Sequence, residues 1–372
     1  MRDLLIETFL RLVRTPSVTG HECAVADLVE KYLTDLGLTV TRDRAHETCE
    51  AECGNLFALL PGTIPDQPVL MLNAHLDTVV HEGGIEPVVE GGFIRSGGDT
   101  ILGADDKAGV ALVLLALRRI IEEKLSHGDI WAVFTVAEET GLWGAQNLDF
   151  SLLQPWPELG YVLDGGRQPG KMTTAAPSSY SLDVTFTGCA AHAGVCPEQG
   201  VSAILAAARG LSALHLGRLD PETTANVGVI SGGSARNIVP ERCHLRAEAR
   251  SHSEPKLAAQ IAHMSACLRE AARLTGAQVE IVAERSYTAF ALADDSPVVQ
   301  RAAQAARRLG LDPVSERGGG GSDANIFNEH ALPSLMMATG ALDVHTPPEQ
   351  LNIPASLQCL EWLTETATIS DK

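Results

Sequence analysis

Three short segments, apolar almost throughout, constrain the fold of this chain most: residues 69–72 (VLML), 130–136 (IWAVFTV) and 161–163 (YVL). A strand with one wet face alternates apolar and polar residues, whereas a strand apolar at nearly every position is covered on both faces. Helical patterns separate these segments. Leu4, Leu5, Phe9, Leu12 and Val13 recur at helical spacing up to Pro16. Val25, Leu28, Val29, Tyr32, Leu33 and Leu36 form a second stripe, which Gly37 stops. Residues 107–123 read as a buried helix. Buried strands alternating with helices predict an α/β sheet covered on both faces.

The pattern changes near Ala175. Residues 181–187 alternate, with Leu182, Val184 and Phe186 on one face. A helix over 201–214, strands over 225–230 and 243–249, a helix over 254–275 and a strand over 278–283 complete a β-α-β-β-α-β order. That order predicts a ferredoxin-like layer of helices on an antiparallel sheet. From about Tyr287 the α/β pattern resumes, with a helix over 296–309, four glycines at 318–321, a helix over 323–328 and a strand over 334–338. At 372 residues, two domains are expected. The economical reading is a mixed-sheet α/β domain over 1–175 and 287–372, interrupted by a ferredoxin-like α+β insert over 176–286.

The formal charge of −19 opposes binding to nucleic acid or to anionic membranes, so neither partner is expected. No apolar run approaches the roughly 20 residues that span a bilayer. The opening residues are interrupted by acids, unlike a secretory signal, so a cytoplasmic location is expected. The eight cysteines contain no CxxC pair, and reduced thiols are the default for such a chain.

Acids and histidines fall where the strands end. His75 and Asp77 follow the first apolar segment in NAHLD. Asp105 and Asp106 open the buried helix in GADDKAG; one carboxylate can bridge two cations while the other caps the helix. Glu138 and Glu139 follow the second segment in VAEETG, and Asp164 follows the third in VLDGG. His345 sits beside prolines in DVHTPPE. Each has an ordinary cap or turn reading when taken alone. Together they supply His75, Asp105, Glu139, Asp164 and His345, two histidines and three carboxylates, after buried strands or in the loops between elements, and open sheets place ligands at the carboxyl ends of their strands. Nitrogen and oxygen donors of this kind suit Zn²⁺, with Mn²⁺ or Co²⁺ as substitutes.

The segments AHLD, GADDKAG, VAEETG, VLDGG and VHTPPE, in this order, resemble metallopeptidase family 20, whose members include peptidase T, succinyl-diaminopimelate desuccinylase, acetylornithine deacetylase and carboxypeptidase G. The resemblance covers nearly the whole chain and leans towards the peptidase T-like branch. It implies a zinc-peptidase/phosphorylase-like catalytic domain, with the insert as lid and dimerisation domain. It also implies two divalent ions: His75 and Asp164 on one, Glu139 and His345 on the other, Asp105 between them with a cis peptide to Asp106. Asp77 would orient His75, and Glu138 would be general base and then proton donor to the leaving amine. In the insert, His192 of CAAHAG would stabilise the oxyanion, delivered by the partner subunit in dimeric members. Asn226, Asn237 and Arg250 match lid positions that meet substrate, with Arg250 suited to a carboxylate. Gly320 and Ser322 lie in GGGGSDAN, which resembles a substrate-side loop.

The expected activity is hydrolysis of a peptide bond by water held between the two ions, by a tripeptidase or aminopeptidase. The alternatives are an N-acyl amino-acid deacylase or a carboxypeptidase on the same site and, remotely, a binding protein without catalysis.

Overall fold

The computed structural model describes residues 1–49, 51–166 and 168–368. The chain divides into two compact units. The first comprises Met1–Ala175, Ala291–Gly318 and Ser322–Lys372; the second comprises Ala176–Phe290 and Gly319–Gly321.

A large mixed sheet forms the first unit. Its middle strands lie in the order Ile130–Thr135, Leu70–His75, Leu159–Gly165 and Ser334–Ala338, all parallel to their neighbours. Leu56–Leu60 pairs antiparallel with Ile130–Thr135, and Val40–Arg42 pairs antiparallel with Leu56–Leu60. At the other side Lys171–Ala176 runs antiparallel to Ser334–Ala338. The apolar runs are buried as their patterns demand: every residue of Leu70–His75 and Ile130–Thr135 is buried. The helix Ala104–Glu123 packs against the sheet and is itself covered by Arg2–Arg14 and Ile353–Thr368. That position explains its unbroken apolar run from Val110 to Leu117, all buried.

Two strands extend beyond their apolar segments. Leu70–His75 includes His75, and Leu159–Gly165 includes Asp164. A polar residue ends the hydropathy signal but not the ladder, because the backbone continues to pair. Because Ile130–Thr135, Leu70–His75 and Leu159–Gly165 are parallel neighbours, their carboxyl ends share one edge. A smaller sheet of Pro87–Glu90, Phe93–Ser96, Gln350–Asn352 and Ala341–Leu342 lies in the same unit. Ala341 faces Leu351 and Leu342 faces Gln350, so residues 343–349 form the connecting loop that carries His345.

The second unit is an antiparallel sheet ordered Gly217–Asp220, Thr223–Gly232, Arg242–Ser251, Ser178–Thr187 and Gln278–Tyr287. Its four long strands run second, third, first, fourth, the ferredoxin-like arrangement, with Gly217–Asp220 added at one edge. Helices Ala203–Ala213 and Glu254–Thr275 cover one face over a core of Leu182, Val184, Phe186, Leu245, Met264 and Leu268. Gly319–Gly321, which the sequence groups with the first domain, cluster with this unit. The Gly321 N–H donates to the Tyr287 hydroxyl at 3.1 Å. No described helix is long and apolar enough to cross a membrane.

Candidate metal centre

The strand edge brings the sequence-predicted acids and histidines of the first unit together. His75 ends its strand, with Nε2 3.2 Å from Asp105 Oδ1 and Nδ1 3.4 Å from Asp77 Oδ1. Asp105 opens the buried helix, and its second oxygen, Oδ2, lies 3.1 Å from His345 Nε2. His345 Nε2 is also 3.0 Å from Glu139 Oε1. His75, Asp105 and Glu139 each present a ligand atom within 4.8 Å of the others. Tetrahedral zinc bonds of about 2.1 Å set ligand atoms about 3.4 Å apart. The donor set and its spacing therefore fit a divalent ion. The Asp105–Asp106 peptide is cis. Asp106 accepts the Gly109 N–H at 3.0 Å and caps the helix that follows.

Buried carboxyls shape the electrostatics. Burial opposes ionisation of Asp105, but hydrogen bonds with His345 and His75 outweigh it and hold the carboxyl low. The same contacts, Asp105 first and then Glu139, push His345 up to about 10. Burial drives Asp164 well up, and Asp105 beside it adds to the effect. Glu138 is likewise raised well above an ordinary carboxyl, chiefly by burial, with Asp164, Asp323 and Glu139 as further negative neighbours. A carboxyl that resists ionisation is suited to exchanging a proton near neutral pH.

Asp77 holds this edge in place. Its side chain is fully buried. Oδ1 accepts the Glu138 N–H at 3.0 Å, while Oδ2 accepts the Glu139 N–H at 3.2 Å and the Thr19 hydroxyl at 2.7 Å. One carboxylate thus fixes both glutamates and stands beside the His75 ring. Ala137, just before them, has φ 49°, and Asp343 and His345 have φ 53° and 62°. Left-handed backbone disfavours residues with a Cβ by roughly 1–2 kcal/mol, and such residues gather at functional sites.

Several further residues around the site are not singled out by the sequence reading. Glu22 is fully buried and accepts the N–H groups of Gly20 at 2.9 Å and Ala137 at 3.1 Å. Glu349 accepts the N–H groups of Leu102 and Gly103 at 2.8 Å and of Asp105 at 3.0 Å, seating the helix start. Asp323 accepts from the Thr135 hydroxyl, and burial raises it to about 6. Lys107 donates to Leu76 O at 2.7 Å and to Ser17, and burial lowers it to about 8. Glu349 lies in the VHTPPE segment and Lys107 in GADDKAG, so motif membership was their signal; Glu22 had none.

The remaining sequence-predicted residues make local contacts of their own. Ser322 is fully buried, and its hydroxyl caps the helix Asp323–Glu329 by accepting the Ala324 N–H at 3.2 Å. In the second unit His192 is exposed, and its Nδ1 accepts the Gly194 N–H at 3.1 Å. Asn237 accepts the Ala193 N–H at 3.0 Å, which joins its loop to that of His192. Asn226 pairs across the sheet with Glu248, and Arg250 Nη2 donates to Glu248 Oε2 at 2.8 Å. Gly320 lies close to the Arg250 guanidinium.

Residues 71–368 match the model of peptidase family M20/M25/M40. The chain belongs to that family. It is accordingly a hydrolase of peptide bonds. Among curated proteins, "Uncharacterized protein YqjE" of Bacillus subtilis is 39% identical over 96% of each chain, and "Peptidase T" of Macrococcus caseolyticus is 26% identical over 91% of this chain and 89% of its own. Among solved structures, a tripeptidase from Staphylococcus aureus superposes with a TM-score of 0.91 at 38% identity, covering 99% of this chain and 98% of its own. Aminopeptidase PepT from Bacillus cereus superposes at 0.85 and 37% identity, with the same coverage.

Proposed function

We propose that this family member is an aminopeptidase of the tripeptidase kind that works with two divalent ions, zinc first among them. The observation that carries the reading is the Asp105 carboxylate, whose two oxygens address two different histidines, His75 at 3.2 Å and His345 at 3.1 Å. A carboxylate so divided is arranged as a bridge. His75 and Asp164 would hold one ion, Glu139 and His345 the other. When bound, divalent ions supply Lewis acidity, which acidifies water and polarises a carbonyl.

The residues of the chain do the rest. Glu138 takes the proton of the attacking water, whose oxygen adds to the scissile carbonyl carbon. Glu138 then returns that proton to the nitrogen as the C–N bond breaks, leaving a carboxylate and an amine. Asp77 keeps Glu138 and Glu139 in register by accepting their N–H groups, is anchored by the Thr19 hydroxyl, and stands 3.4 Å from the His75 ring it orients. His192 accepts at Nδ1, so its proton resides on Nε2, free to donate to an oxyanion. We assign that donation to His192 of a partner subunit, with the second unit as lid and dimerisation surface. Arg250, with Asn226, Asn237 and Gly320, is assigned to the substrate carboxylate end.

Similarity to structures titled tripeptidase and aminopeptidase PepT supports short peptides with a free amino terminus as this chain's substrates. A panel of tripeptides, dipeptides and N-acyl amino acids tests this. Turnover of tripeptides supports it; turnover confined to N-acyl amino acids replaces it with a deacylase. Glu138→Gln should abolish hydrolysis while retaining the ions, and full activity in that variant would defeat the mechanism.

A further inference from the structure

Three side chains of metal-ligating type lie together in the second unit, and none of them is assigned a role above. His263 and Cys267 are one turn apart on the helix Glu254–Thr275, so they share a face. The Cys267 sulfur is 3.8 Å from both ring nitrogens of His263. A sulfur equidistant from both nitrogens lies off both lone-pair axes; zinc bonds of about 2.3 Å to sulfur and 2.0–2.1 Å to nitrogen need one nitrogen about 3.6 Å from it, which a turn of the His263 ring supplies. His215, between Ala203–Ala213 and Gly217–Asp220, stacks on His263 with ring centroids 4.3 Å apart. Its backbone is pinned to the same helix, because Gln260 Nε2 donates to His215 O at 2.9 Å.

We propose that His215, His263 and Cys267 form a separate binding site for a borderline-soft divalent ion, Zn²⁺ or Co²⁺ by its ligand chemistry. Two imidazoles and one thiolate make three protein ligands, and water completes a tetrahedron. The rings now stack rather than converge, so capture requires the His215 ring to swing and the His263 ring to turn. Its side chain is exposed, and Gln260 holds its backbone rather than its ring. The Cys267 thiol donates to Ala213 O at 3.5 Å; binding breaks that contact and releases the thiol proton to solvent. The ion would tie the end of Ala203–Ala213 to Glu254–Thr275, the two helices that cover the sheet.

Cobalt(II) titration of the full chain tests the proposal. The candidate catalytic centre offers only nitrogen and oxygen donors, so a near-ultraviolet thiolate-to-cobalt charge-transfer band must come from a cysteine. The wild-type protein should show this band, and it should vanish in Cys267→Ser and weaken strongly in His263→Gln. Zinc stoichiometry in Cys267→Ser should fall by one ion per chain while peptidase activity is retained. No band in cobalt-loaded wild type, or a band undiminished in Cys267→Ser, overturns the assignment. Because this readout does not use catalysis, it is independent of the fate of the peptidase mechanism.

Discussion

Asp77→Asn removes one charge and almost no volume, which makes it a clean probe of how the centre is held. The carboxylate accepts three hydrogen bonds, from Glu138 N–H, Glu139 N–H and the Thr19 hydroxyl. An amide offers one oxygen, and its NH₂ must face a backbone N–H on one side or the other. At least one hydrogen bond to a charged acceptor becomes an apposition of two donors, and the others lose their charge. Bonds to charged groups contribute about 1.5–3 kcal/mol each, and stranding a buried donor costs about 1–3 kcal/mol. The metal-free variant should therefore be about 2–4 kcal/mol less stable in urea unfolding. The His75 ring also loses the carboxylate 3.4 Å from Nδ1. Affinity for zinc, measured by competition with a chelator, should fall about 10–100-fold. Stability within about 0.5 kcal/mol of wild type together with unchanged zinc affinity would refute the positioning role of Asp77.

Glu22→Ala leaves the N–H groups of Gly20 and Ala137 unpaired and should cost about 2–5 kcal/mol in urea unfolding. It should also lower kcat more than it raises KM, because Ala137 immediately precedes Glu138. Glu349→Ala strands three N–H groups and should cost about 3–6 kcal/mol, with loss of metal affinity because the Asp105 N–H is among them. Metal affinity should rise with pH: without an ion His345 stays protonated up to about 10, so each ion it helps bind at neutral pH must displace that proton. Calorimetry in buffers of different ionisation enthalpy should register proton release, and its absence would show that His345 is not a ligand.

The sequence carries the central strands because hydropathy is local: Leu70–His75 and Ile130–Thr135 announce themselves by burial on both faces. It carries the candidate ligands His75, Glu139 and Asp164 because each lies at or just after the end of a buried strand and is too polar for the run before it. It does not carry the contacts of Glu22 or Glu349, whose partners lie far away in the chain: Ala137 for Glu22 and Leu102–Asp105 for Glu349. Such contacts exist only once the fold brings those loops together. The outer strands Val40–Arg42 and Leu56–Leu60 and the helix Ile353–Thr368 escaped the pattern for a related reason. They are recognised by what they pair with or cover. The helix cap made by the Ser322 hydroxyl is equally unannounced, because the glycine-rich setting before it gives no helical pattern.

The central claim is that Asp105 joins two divalent ions. Anomalous diffraction from crystals of the zinc-loaded protein measures this directly. The account predicts two zinc peaks flanking the Asp105 carboxylate, one against His75 and one against His345. A single peak there, or two peaks that do not share Asp105, would contradict it.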